Sequence, residues 1–209
     1  LHYPLRRQRQ MCIRDRHMSS LEKANGEILV SKFSRILLKD PYFMFLCPDL
    51  NGRAKFISKY FSYYINIWQK NGELFFSKSK NAAATLIDST AYKFSFKGKK
   101  GLSLKISKYS RNILIHRETV QRISEIILPE QTKRRVMTIY AAPQAENADI
   151  AELIAQCKAK AEKEGFAVLY ETLSRRLVPE FEKSGFETVY AKQFIGTQYF
   201  QTVMAYNIK

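Results

Sequence analysis

The last third of the chain alternates short apolar runs with helical periodicities, and that alternation limits the folds open to it. Residues 136–141 and 167–170 read as short strands, and 199–206 as a longer one. Between them, Ile150, Leu153, Ile154 and Cys157 share one face of a helix over 148–164, and 178–184 form a short helix stopped by Gly185. A helix that separates two strands has to cover the sheet they join. The pattern therefore predicts an α/β domain.

Upstream, two helices are expected. The first runs over 27–39, where Ile28, Leu29, Phe33, Ile36 and Leu37 share a face, and Pro41 ends it. An aromatic-rich loop follows, with turn chemistry at Pro48-Asp49-Leu50-Asn51-Gly52. The second helix, over 53–70, carries Phe56, Ile57, Tyr60, Phe61, Tyr64, Ile65 and Trp68 at three- and four-residue steps. Asn71-Gly72 reads as its C-cap and a turn. Strands are expected at 74–77 and 83–87. Residues 93–108, with six lysines and two glycines, read as a solvated linker, and a helix over 111–128 stops at Pro129.

The 209 residues fit one domain, and 45% apolar content suffices for a buried core. No apolar run approaches the roughly 18 residues of a membrane span, and the opening lacks a secretory signal's layout. Cys12, Cys47 and Cys157 form an odd set without metal-ligand spacing. Neither a disulfide framework nor a metal is expected, and a cytoplasmic compartment is. Residues 1–17 lack apolar periodicity, and Met11-Cys12-Ile13-Arg14-Asp15-Arg16 reads like a translated sequencing-library adapter. The expectation is a non-native or disordered extension over 1–17 and a single domain over 18–209. Without the five arginines and one aspartate of that extension the formal charge falls from +16 to +12. A basic surface suits nucleic acid or a phosphorylated cofactor equally. No zinc-ligand, helix-turn-helix or RNA-recognition signature accompanies the lysines, so nucleic acid is not the expected partner.

Glu171, Thr172, Val178, Pro179, Gly185 and Phe186 are spaced as in the closing motif of the GNAT superfamily of acetyl-CoA-dependent N-acetyltransferases, which the stretch 170–186 resembles. Upstream, Pro143, Ile150, Leu153 and Ile154 are similar, without a gap, to the frame of that superfamily's cofactor loop. The order of elements from about 27 onward resembles it too. The resemblance implies a GNAT-type acyl-CoA N-acyltransferase fold, an α/β (α+β) domain whose central, mixed, mostly antiparallel sheet is flanked by helices. It also implies acetyl-CoA as co-substrate, a small-molecule or peptide amine as acceptor, no membrane partner, and compatibility with a homodimer. Cofactor contacts then fall on Ala141, Ala142, Asn147, Ala148, Asp149, Ile150 and Ala151.

Two departures bear on the chemistry. Glycines in that loop let backbone approach a pyrophosphate at a helix N-terminus, yet their positions here read Asn147, Asp149 and Ala151. Asp149 and Glu146 bring negative charge to the anion site, a repulsion of about 4 kcal/mol at contact range and surface-like dielectric. Asn147 is the expected N-cap. The family's acid tyrosine is Phe181 and its asparagine Leu177; losing a general acid slows a reaction by about 10²–10⁴-fold without forbidding it. Glu171 is the candidate base, with Tyr170 and Tyr190 as weaker substitutes for the missing acid. The cluster Tyr42, Phe43, Phe45, Phe61, Tyr63 and Tyr64 reads as core or as an acceptor pocket. His17 and His116 read as incidental. The alternative to a transferase is a catalytically impaired protein of the same fold acting as a binding or regulatory module.

Overall fold

The computed structural model describes residues 29–89, 122–123, 125–128, 132–193 and 198–207, without the side chains at 29, 63, 66, 67 and 69–71. The extension at 1–17, His17, His116, the linker at 93–108 and most of the helix expected at 111–128 lie outside the described residues. Among those residues six strands form one sheet: β1 (Gly72–Phe76), β2 (Ala82–Asp88), β3 (Arg134–Ala141), β4 (Ala167–Thr172), β5 (Glu187–Gln193) and β6 (Phe200–Tyr206). Their spatial order is β1-β2-β3-β4-β6-β5. Only the central pair β3–β4 is parallel; the other neighbours are antiparallel. The mixed, mostly antiparallel sheet is as expected.

Helices cover both faces, because alternate residues of each central strand are apolar in both directions. On one face Ala83, Ile87 and Tyr140 pack under α1 (Pro41–Leu46) and α2 (Leu50–Asn71), against Phe43, Phe61 and Trp68. Tyr140 is the hub: Phe61 meets its ring edge-on at 5.1 Å and Phe43 stacks at 6.2 Å. On the other face Ala84, Leu86, Met137 and Val168 pack under α3 (Asn147–Glu164) and α4 (Val178–Lys183). The aromatic cluster of the sequence is therefore mostly core. Phe43 and Phe61 are wholly buried. Among the described residues no helix is long and apolar enough to cross a membrane.

Several local expectations need correction. The first helical stretch is irregular: a π turn Leu29–Phe33, an α turn Ser34–Ile36 and a 3₁₀ turn Leu37–Lys39. The aromatic loop is α1, because Asp40 is extended before Pro41 and accepts from the Tyr42 and Phe43 amides at 2.9 and 3.4 Å. Pro41 starts a helix rather than only ending one. Gly72 is no left-handed C-cap; it is extended (φ −173°) and begins β1. Strand β5 escaped the sequence reading because its exposed edge carries polar Glu187, Thr188, Lys192 and Gln193. Gly185 stops α4 at φ 84° as expected.

The requirement for glycine at position 72 is steric. A Cβ there would lie 2.9 Å from the Ile87 Cα and closer still to the Leu86 carbonyl oxygen, both backbone of β2. Gly72→Ala is expected to cost about 2 kcal/mol or more, as overpacking does. A lowered urea midpoint at unchanged slope checks it.

Candidate active site

The two central strands separate. The β3–β4 ladder runs from Arg134↔Ala167 to Met137↔Tyr170 and stops. Beyond it, β3 stays paired with β2 as far as Ala141, and β4 stays paired with β6 as far as Thr172. The ends of β3 and β4 thus diverge from one another while each keeps its outer neighbour. The result is a V-shaped split at the middle of the sheet.

A narrow slot of about 20 Å³ lies in this split, walled by Thr138, Tyr140, Glu171 and Thr172, with Asp40 and Tyr42 across the opening. That volume admits roughly one water-sized group. Asp40, Ser174 and Leu177 are shared with a larger groove of about 170 Å³, which runs past Lys39, Ala141, Pro143 and Arg176. The Arg176 guanidinium spans the groove end by donating to the Ala145 carbonyl at 3.2 Å.

Each polar group at the split is held by identifiable partners. Glu171 is 7% exposed, and its Oε1 accepts from Gln201 Nε2 at 3.1 Å, a contact set by the β4–β6 register. Thr172 Oγ1 accepts from the Ser174 amide at 2.9 Å and donates to the Ser174 carbonyl, closing the turn after β4. Asp40 is held at the mouth by its two α1 amides. Desolvation there raises its pKa from the ordinary 3.8 to about 6, with the Glu171 charge adding and the amides and Arg176 opposing.

A folded-state pKa above the unfolded one means that ionising Asp40 opposes folding. Stability should fall as the pH rises from about 4 to about 6 and be level above that. Asp40→Asn, which keeps the cap, should remove that slope and gain on the order of 2 kcal/mol near neutrality. Denaturation midpoints of both proteins at several pH values check this.

The expected cofactor residues divide. Ala141 ends β3 on the groove wall, and buried Ala142 donates its amide to the Asn81 carbonyl at 2.9 Å. Asn147 and Ala148 are exposed at the start of α3, where helix geometry denies their amides an intrahelical carbonyl. Ile150 is core, packed beneath the sheet, and Ala151 is exposed on the outer side. The N-cap is Glu146 rather than Asn147. Asp149 turns inward: its carboxylate accepts from the Ser79 hydroxyl at 2.6 Å and from the Glu146 amide at 3.1 Å. The Ser79 bond is the main reason its pKa lies below the ordinary range. The β1–β2 turn thus seals the Asp149 side of the helix end, with Lys78 N donating to Glu152 as well.

The two rings proposed for proton transfer lie elsewhere than expected. Tyr170 faces α4 and stacks flat on Phe181 at 3.6 Å, both essentially buried. Its hydroxyl has no hydrogen-bond partner among the described residues. Burial pushes its pKa up, opposed by the nearby Thr172 side chain and reinforced by the Glu171 and Asp40 charges. Tyr190 is half-buried on the edge strand β5, two strands away from the split. Phe181 is core, against Phe186 at 4.9 Å. Sequence reasoning missed three groups. Asp40 carried a local signal, since Asp-Pro before an apolar run is a helix-start signature; Ser79 and Gln201 reach the site only through register.

No known protein-family model matches the chain, and no curated protein matches it significantly. Solved structures do. The C-terminal condensation domain of Ebony in complex with beta-alanyl-dopamine superposes with TM-score 0.56 at 9% identity, over 88% of this chain and 94% of that one. An agmatine N-acetyltransferase variant in its apo form gives TM-score 0.50 at 10% identity, over 82% and 91%. yncA from Salmonella typhimurium, described as a putative acetyltransferase with its cofactor acetyl-CoA, gives 0.48 at 10%, over 90% of each chain. The chain has the GNAT-type fold, a six-stranded mixed sheet flanked by helices and split between its parallel strands.

Proposed function

We propose that this chain is an acyltransferase of the GNAT type that moves an acetyl group from acetyl-CoA to an amine, a small molecule or a peptide. One observation carries the reading: the β3–β4 ladder ends at Tyr170, and the next residue, Glu171, borders the gap so made. A thioester arm laid in the split has its acyl carbon beside that carboxylate, while strand-end backbone groups left without ladder partners offer it hydrogen bonds. The diphosphate end of the ligand follows the groove past Lys39 and Arg176, with Asn147 and Ala148, exposed at the start of α3, as further amide donors. Positive side chains there offset the acidic character of the loop. Two carboxylates, Glu171 and Asp40, border the slot where the acceptor ammonium must lose a proton. Cys47 and Cys157, both free and buried, accord with a cytoplasmic setting.

A second reading has its own observation. With Asp149 tied to Ser79 at the first turn of α3, the helix end already holds an anion of its own. A binding or regulatory module would then keep the fold without turnover. Titration calorimetry with acetyl-CoA, followed by thiol release with primary amines, separates the two. Binding with turnover supports the transferase, binding without turnover the module, and no binding at millimolar ligand removes both. Arg176→Ala is expected to weaken acetyl-CoA binding about tenfold.

A further inference from the structure

We infer that Asp40 is the catalytic base of this site, accepting the proton of the acceptor ammonium across the β3–β4 split, with Glu171 positioning the acceptor. The inference rests on the transferase reading. Both carboxylates border the slot, but they are held differently. Glu171 Oε1 is held by the Gln201 side-chain amide, which fixes the carboxyl against β6. Asp40 concentrates both of its α1 amides on Oδ1, which leaves Oδ2 with acceptor capacity, and the residue lines both the slot and the groove.

The proton inventory closes without another reactant. The ammonium gives one proton to Asp40; the freed amine nitrogen attacks the thioester carbonyl, and a C–N bond forms. The C–S bond then breaks, and the departing thiolate takes a second proton from the same nitrogen, leaving a secondary amide, a thiol and a neutral Asp40. Asp40 returns its proton to water. Tyr170, buried against Phe181 and raised in proton affinity, takes no part in the proton inventory. A carboxylic acid titrating near 6 is a better-matched base at neutral pH than an ordinary carboxylate. The groups facing Asp40 are Glu171 from β4, Arg176 from the turn before α4, Tyr42 from α1 and Lys39 beside it in the chain, with the Tyr170 hydroxyl near.

The test compares the full-length protein with Asp40→Asn and Glu171→Gln, using acetyl-CoA with butylamine and 1,4-diaminobutane as probes. Thiol release is followed from pH 5 to 9 and acetyl-CoA affinity by calorimetry. Asparagine preserves the helix cap, so Asp40→Asn should fold and bind acetyl-CoA as the parent does. It should lose about 100-fold or more in kcat, and with it the acidic limb of the rate profile near pH 6. Glu171→Gln should raise KM and keep that limb. An Asp40→Asn protein that keeps rate and limb overturns the proposal, as does acetyl-CoA binding without thiol release from either amine. Loss of the limb in Glu171→Gln alone returns the base to Glu171. A parent protein that binds no acetyl-CoA sinks the transferase reading itself.

Discussion

Arg53→Ala is expected to destabilise the fold by about 4 kcal/mol. Arg53 is 5% exposed, and its guanidinium donates to three carbonyls, those of Leu38 at 2.6 Å, Cys47 at 2.7 Å and Pro48 at 2.8 Å. Leu38 belongs to the 3₁₀ turn before α1, Cys47 and Pro48 to the turn after it. One side chain on α2 therefore staples both ends of α1, the helix that Asp40 caps. Alanine leaves buried carbonyls without a donor, each a cost of about 1–3 kcal/mol. Lysine should recover little, because one ammonium cannot span three divergent acceptors that a planar fork reaches. A fall in the urea midpoint for both variants checks the claim. A lysine variant as stable as the parent would show that charge, not fork geometry, matters.

Phe181→Ala should cost about 3–5 kcal/mol, the usual range for an emptied aromatic site. The ring is fully buried between Tyr170 and Phe186, so its removal opens the layer between α4 and β4. Phe181→Tyr is the more informative change. It restores the residue type the GNAT resemblance implies, yet demands a hydroxyl in a site with no exposure. A loss of about 1–3 kcal/mol is expected if that hydroxyl finds no partner. Thermal melts read both variants. A tyrosine variant as stable as the parent would mean that the new hydroxyl had found one, the Tyr170 hydroxyl being an unpartnered candidate.

The legible parts of the fold were those with strong periodicity or a helix stop. Helix α3 starts and ends within a residue of the span its apolar face marks, and α2 extends only a few residues beyond its aromatic stripe. Strand β5 was not legible, because an exposed edge strand needs no apolar alternation. Helix α1 was not read, although Asp40-Pro41 marks its start, because six residues show too little periodicity. At the site, Glu171 lies near the end of β4 on the wall of the slot. The acidic loop was read by composition alone, as if Asp149 faced an incoming anion; register with the β1–β2 turn puts Ser79 on that carboxylate instead.

The sequence by itself determined the layers: which segments are helix or strand, which faces are apolar, and hence a helix-covered sheet. Local periodicity carries that information because burial of each face is decided residue by residue. Tertiary structure alone decided the geometry of the cleft. Where the β3–β4 ladder stops, and which distant groups then meet at the gap, depends on register between segments far apart in the chain. Asp40 and Glu171 stand 131 positions apart. Their different environments arise from burial and hydrogen bonds that exist only once the sheet and α1 have docked.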